Sequence, residues 1–417
     1  SQSRAVLRQI PSALNFKLFL RRSDYALYVP LLELYRLGAP STAPISIEVI
    51  DPDLQPTILQ KYEITQYGCM VIEGKSGQGI IVKEINESNI TKALMKITHP
   101  TPNYIYFLSG HNEANFAATT PEGFSVLKKA MEKELYQLQE LRLSATHLSI
   151  IPPHSVLLLW GPRLPLLPEE ITQLEKFLVG GGKILMALDP DFKNWPHQGL
   201  AESFRRWGIV FNNNIALDFR SHVNGSQGTV PIINKYSADH PITKNFSAQT
   251  FFPLSSSFST ESAPEVIKRM EVTPLLFTNE YPHSWAENNL QEIVSLKPVF
   301  NPQSDERGPL NLAMASTTRN WTTRTSADRT KIVAFGNSTF VTNVYAQFTA
   351  NYNLFLNALA WLSDDIFLAT ADRPELVNQP TFISGPQLGI IFYFTLIVAP
   401  LLLIAVAIYF YIRRKKL

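Results

Sequence analysis

The sequence predicts an α/β protein in two units, tethered by one C-terminal membrane helix. Three observations lead there. Short apolar, β-rich runs alternate with stretches whose apolar residues recur at helical spacing. A proline-containing break, "HPTPN" at 99–103, sets residues 1–98 apart from a larger unit at 99–369. Residues 385–412, "GPQLGIIFYFTLIVAPLLLIAVAIYFYI", carry no charge and are mostly apolar.

In the smaller unit, "NFKLFL" predicts a strand and "SDYALYVPLLELYRLG" a helix ended by Gly38. "ISIEVIDPD" follows as a strand and turn, and then a segment around Tyr62. "CMVIE" and "GIIVKE" read as a hairpin, and "NESNITKALMKIT" as a helix with Asn86 or Ser88 as its cap. The order β-α-β-α-β-β-α fits a thioredoxin-like fold without redox cysteines, because Cys69 is the only cysteine. Such a unit offers contacts rather than redox chemistry.

The larger unit begins with the strand "YIYFLSG". A helix is expected at 121–139, with Phe124, Leu127, Met131, Leu135 and Leu138 along one face. Strand "SVLLLWG", helix 168–179, strand "KILMAL", strand "KIVAFGN" and helix "NYNLFLNALAWLS" complete a mainly parallel sheet covered on both faces. Residues 220–330, rich in Ser, Thr, Asn and Pro, read as a β-rich insertion with long loops, and 370–384 as a polar linker.

Two glycine stretches invite a phosphate-cradle reading, which needs glycines after a strand and before a helix. Around Gly180, Gly181 and Gly182 the order is reversed. Pro168, Glu169 and Glu170 open a helix, and the glycines follow its apolar face as a C-terminal cap. In "EGKSGQG" the first glycine of a Walker motif would be residue 69, which is Cys69, and the stretch lies inside the hairpin. Neither reads as a nucleotide site.

Composition narrows the function further. A net charge of +2 over 417 residues leaves no basic stripe for nucleic acid. One cysteine excludes an internal disulfide, and eight scattered histidines without a ligand spacing predict neither metal nor cofactor.

The uncharged C-terminal run is longer than the roughly 30 Å core of a bilayer. Phe392, Tyr393, Tyr409 and Tyr411 sit near its ends as interfacial aromatics. The basic tail at 413–417 should stay in the cytoplasm, which leaves the bulk of the chain on the other side. Pro400 should kink the helix. Gly385 and Gly389, and again Thr395 and Ala399, have the spacing that lets another helix approach. "SQSRAVLRQ" has no signal peptide's apolar core, so a targeting or anchoring segment is expected upstream of this numbering.

Candidate chemistry lies at strand ends. "SGHNE" places His111, Asn112 and Glu113 after the first strand of the larger unit, where α/β sheets bind ligands. His111 oriented by Glu113 could act as a general base; equally, the residues could be polar loop contacts. No nucleophile elbow accompanies them, so no catalytic residue is assigned. Asn337 and Ser338 leave another strand end as a small polar pocket or a local turn. "HPIT" at 240–243 reads as a turn, and Trp285 beside Glu287 as either an interface anchor or core.

These motifs taken together resemble the auxiliary extracytoplasmic subunits of bacterial ABC transporters of the gliding-motility GldG type. The matching words include "ISIEVIDPD", "YEITQYGCMVIE", "YFLSGHNE", "LPEEITQLEKFLVGGGKILMALDP", "HPIT", "HSWAE" and "KIVAFGNSTFVTN", in order over most of residues 40–365. The resemblance implies a glutamine-amidotransferase-like second domain lacking the nucleophile. It also implies assembly with an ABC permease and a cytoplasmic ATPase in a bacterial inner membrane, with the larger part periplasmic. Where the family often has aspartate, this chain has Asn337. The resulting expectation is a non-catalytic subunit serving gliding motility or cell-surface export, with a further periplasmic partner possible. Two alternatives are a solute- or glycan-binding receptor with an interdomain cleft, and a membrane-tethered hydrolase using His111 and Glu113.

Overall fold

The computed structural model describes residues 2–55, 58–59, 62, 64, 68–74, 79–98, 103–134, 136–143, 151, 155–295, 297–319, 329–345, 349–364 and 385–415. Its first unit opens with a short helix that the sequence pattern did not announce, α1 (Gln2–Leu7), which buries Val6 and Leu7. Strands β1 (Leu14–Phe19), β2 (Ile45–Ile50), β3 (Cys69–Glu73) and β4 (Gly79–Val82) form a sheet in the order β2-β1-β3-β4. Only the β1–β2 pair is parallel. Helix α2 (Tyr25–Gly38) buries Leu32 and Tyr35, whose hydroxyl meets Thr91 Oγ1 at 2.9 Å on α3 (Glu87–Thr98). The cap of α3 is Asn86, which accepts from the Asn89 N–H at 2.9 Å.

The second unit is built on a ten-stranded sheet. Five strands run parallel in the order β6-β5-β7-β8-β19: β5 (Asn103–Leu108), β6 (Tyr136–Leu141), β7 (Val156–Trp160), β8 (Lys183–Ala187) and β19 (Lys331–Phe335). Alternate residues of the central strands part to opposite faces. Leu158, Trp160, Leu185, Val333 and Phe335 pack with α4 (Ser125–Lys133) and α9 (Thr349–Leu362). Leu157, Leu159, Ile184, Met186 and Ile332 pack with α5 (Pro168–Val179) and α6 (Gln198–Arg205). Burial on both faces accounts for runs as apolar as "VLLLW".

Two expectations change here. The helix expected at 121–139 stops at Lys133, and "YQLQEL" is the edge strand β6 instead. Its exposed Gln137 and Gln139 alternate with Tyr136 and the half-buried Leu138, a period of two that pairing along all of β5 enforces. The β-rich region at 220–330 is not separate from the main sheet. From it, β12 (Lys235–Tyr236), β15 (Met270–Phe277) and β18 (Asn311–Thr318) extend the sheet antiparallel beyond β19, so the parallel part is half of it. Strand β14 (Phe258–Thr260) joins β18 to β9 (Ile209–Phe211), and α7 (Pro264–Arg269) leads into β15. Small sheets are formed by β10 (Ile215–Asp218), β16 (Ser284–Glu287) and β17 (Glu306–Arg307), with the short helix α8 (Leu290–Val294) after β16, and by β11 (Ile232–Ile233) with β13 (Thr250–Phe251).

The glycines after α5 stop the helix. Gly182 N–H donates to Phe177 O at 2.9 Å, Gly181 N–H to Leu178 O at 3.0 Å, and Gly181 takes φ 91°, which is a Schellman cap.

At the C-terminus, α10 (Gly385–Tyr393), a π-helical turn (Phe394–Val398) and α11 (Ala399–Lys415) follow one another. Residues Gly389–Arg414 make one 26-residue helix apolar enough to cross a membrane, with none of it buried in the protein. The wide turn ends just before Pro400, whose missing N–H and bulky ring disrupt the preceding ladder. The predicted linker at 370–384 lies outside the described residues.

Candidate functional site

After β5 the chain turns back through Gly110 (φ 128°) and Asn112 (φ 57°), both in the left-handed half of backbone space. This return folds His111 inward. Glu113 accepts from the His111 backbone N–H at 2.7 Å and lies 3.2 Å from its Nδ1. On the other side, Nε2 is 2.9 Å from Glu170 in the first turn of α5, which also accepts from the Leu167 N–H at 2.7 Å. The His111 carbonyl takes the N–H groups of Arg163 and Leu164 at 2.8 and 3.1 Å. The imidazole is thus a tie between two loops and a helix. Each ring nitrogen thus faces a carboxylate oxygen, so the imidazole is held from both sides by groups of the protein itself.

Three neighbouring strand ends complete the floor. Gly161, after β7, takes φ 59°, and a Cβ there would sit 2.6 Å from Ser338 Oγ. Asp189, after β8, accepts from the Ser338 backbone N–H and hydroxyl, both at 2.6 Å. Burial pushes the Asp189 carboxyl up, against those hydrogen bonds and the nearby charge of Arg163. Asn337, after β19, makes the local turn, accepting from the Phe340 N–H at 2.9 Å, with its Nδ2 3.4 Å from Asp189. Trp160 Nε1 donates to the Ser338 carbonyl at 2.9 Å and fixes the loop from below.

Above this floor is a pocket of about 340 Å³, lined by Asn112, Glu113, Glu122, Arg163, Ser338 and Tyr345 among others. The two strand-end candidates from the sequence therefore converge: Asn112, Glu113 and Ser338 face one pocket, with His111 and Asn337 supporting it. Glu170 was read only as opening its helix, and Asp189, Gly161 and Arg163 were not singled out. Asp189 was within reach, since it follows a strand end as His111 does. Trp285 belongs to a small apolar cluster, stacked on Phe219 with ring centroids 4.8 Å apart. Its neighbour Glu287, whose carboxyl burial pushes up, lines a second pocket of about 490 Å³ with Phe192 and Asn289. Among the described residues, no group of His, Cys, Asp and Glu is arranged to hold a metal ion. In the C-terminal helix, Thr395 Oγ1 donates to the Ile391 carbonyl at 2.8 Å, and Gly389 has open space around it.

A family model described as "ABC-type uncharacterized transport system" matches residues 103–370, which take in the whole parallel sheet and the pocket. The chain belongs to this transport-system family. It is therefore read as an auxiliary component of an ABC transport system, and its apolar C-terminal helix fits membrane association. No curated protein matches the chain. Among solved structures, it is similar to an "mmIFT52 N-terminal domain" at 16% identity and TM-score 0.44, covering 62% of this chain and 97% of that one. It is also similar to a putative ThuA-like protein from Bacteroides uniformis at 15% identity and TM-score 0.35, covering 63% and 91%. Overlaps this partial carry no functional inference.

Proposed function

We propose that this chain is a membrane-anchored, non-catalytic subunit of an ABC transport complex, acting with a permease and a cytoplasmic ATPase. The family match over residues 103–370 is the observation that carries the reading. The exposed helix Gly389–Arg414 supplies an anchor, and the basic residues after Ile412 favour a cytoplasmic C-terminus with the two α/β units in the periplasm. Absence of catalysis is supported by His111, both of whose nitrogens are engaged, and by Ser338, whose hydroxyl is given to Asp189 rather than to a histidine. The strand order β2-β1-β3-β4 suits a thioredoxin-like contact unit in which Cys69 is buried. The five parallel strands suit an amidotransferase-like unit. Gliding motility or cell-surface export is the process the sequence resemblance suggests.

The test is purification of the tagged full-length chain from its native membrane, with identification of what accompanies it. An ABC permease and an ATPase should be recovered together, and His111→Ala should leave their recovery intact if the variant folds. Recovery of neither subunit would sink the proposal.

A further inference from the structure

The pocket at the strand ends presents two opposite charges that do not meet. Arg163 and Glu122 both line it, both are exposed, and neither side chain makes a hydrogen bond or salt bridge among the described residues. The same is true of the Asn112 side-chain amide. A guanidinium and a carboxylate that share one pocket and stay apart leave room for a ligand carrying both complementary charges.

We propose that this pocket binds a small zwitterion, an amino acid or a dipeptide. Its carboxylate lies on Arg163, whose planar fork matches a carboxylate with two parallel hydrogen bonds. Its ammonium lies on Glu122, with the Asn112 carbonyl as a further acceptor. The volume of about 340 Å³ is at the small end of the ligand range, which favours an amino acid or dipeptide over a longer chain. The floor is built in advance. Gly161 admits Ser338 closely, Asp189 fixes that serine, and the His111 tie holds the Asn112–Glu113 loop, so little ordering cost falls on the ligand. Phe124 and Tyr345 provide apolar wall for a small side chain. This inference goes beyond the transport reading and does not depend on it.

The experiment is calorimetric titration of the purified full-length chain in detergent with L-alanine and L-alanyl-L-alanine. Acetate, ethylammonium and glucose are run at the same millimolar concentrations. Binding of alanine or the dipeptide, with none of the three comparison compounds matching it, is the expected result. Arg163→Met and Glu122→Gln, both exposed and outside the buried network, should each weaken that binding tenfold or more while leaving the circular dichroism and melting curve unchanged. Acetate binding as well as alanine would make this an anion site and overturn the proposal. Glucose alone binding would make it a polyol site, with the same consequence. Silence of both zwitterions, or binding indifferent to both substitutions, refutes it too. Copurification with transporter subunits is not read in this titration, so its failure leaves the subunit proposal standing.

Discussion

His240 and His197 are the residues whose ionisation should be felt most in stability. Burial pulls each imidazole down to about 4, and the charge of Lys331 adds to the effect at His240. His240 Nδ1 accepts from the Ile242 N–H at 3.3 Å, its ring lies 4.9 Å from that of Trp361, and His197 Nδ1 is buried without a partner among the described residues. The unfolded chain, with histidine near 6.5, binds more protons between about pH 4 and 6.5. Stability is therefore complete above that window and falls as pH drops through it, by on the order of 2–3 kcal/mol per histidine. The raised carboxyl of Asp189 acts in the opposite sense, so the comparison has to be with a variant. Melting of the chain between pH 7 and 4.5 should lose less in His240→Gln than in the parent; equal slopes would show that His240 does not titrate across this window.

Among elements, those with one strong period were legible and those with mixed signals were not. The central strands stood out because burial on both faces leaves almost only apolar residues, and α5 because Pro168 and the three glycines mark its two ends. Strand β6 was misread because Gln and Glu favour helices locally, while its pairing with β5 is a tertiary fact. The pocket was half legible. A rule about strand ends finds His111 and Ser338, but no rule of spacing finds that Glu170, 59 residues from His111, meets the same imidazole. Gly161 tests the loop after β7. Gly161→Ala would demand a left-handed alanine and place Cβ 2.6 Å from Ser338 Oγ. The expected cost is about 1–3 kcal/mol, measured by denaturant unfolding. An alanine variant as stable as the parent would mean that the floor yields and is not fixed in advance.

At the scale of the molecule, the strands that carry the pocket also hold the end of the domain. Asp364 follows α9 at φ 63° and is bound by Lys183 at the start of β8 and by Lys331 at the start of β19, the latter at 2.7 Å. Lys331 also donates to the Trp361 carbonyl at 2.8 Å, so α9 is capped by a strand lysine. Asp364→Ala leaves two buried ammonium groups without this carboxylate and should cost about 3–5 kcal/mol, whereas replacing all three residues by apolar ones of similar size should cost much less. Thermal melts of the two variants decide this, and equal losses would reduce the clamp to packing. Twenty residues separate Asp364 from Gly385, where the apolar helix begins, and there the question is whether it only tethers. A tether can face lipid all round. Gly385 and Gly389 instead set small residues four apart before the π turn, and Thr395 and Ala399 do so within it and just after it; an auxiliary subunit of the proposed kind would feel the transport cycle through such contact. Leucine at both Gly389 and Ala399 should reduce recovery of the permease several-fold while leaving insertion unchanged, read by copurification and by carbonate extraction. Exchange of the whole span for polyleucine is the harsher form. If permease recovery survives that exchange, the helix is a tether, and coupling must pass through the α/β units.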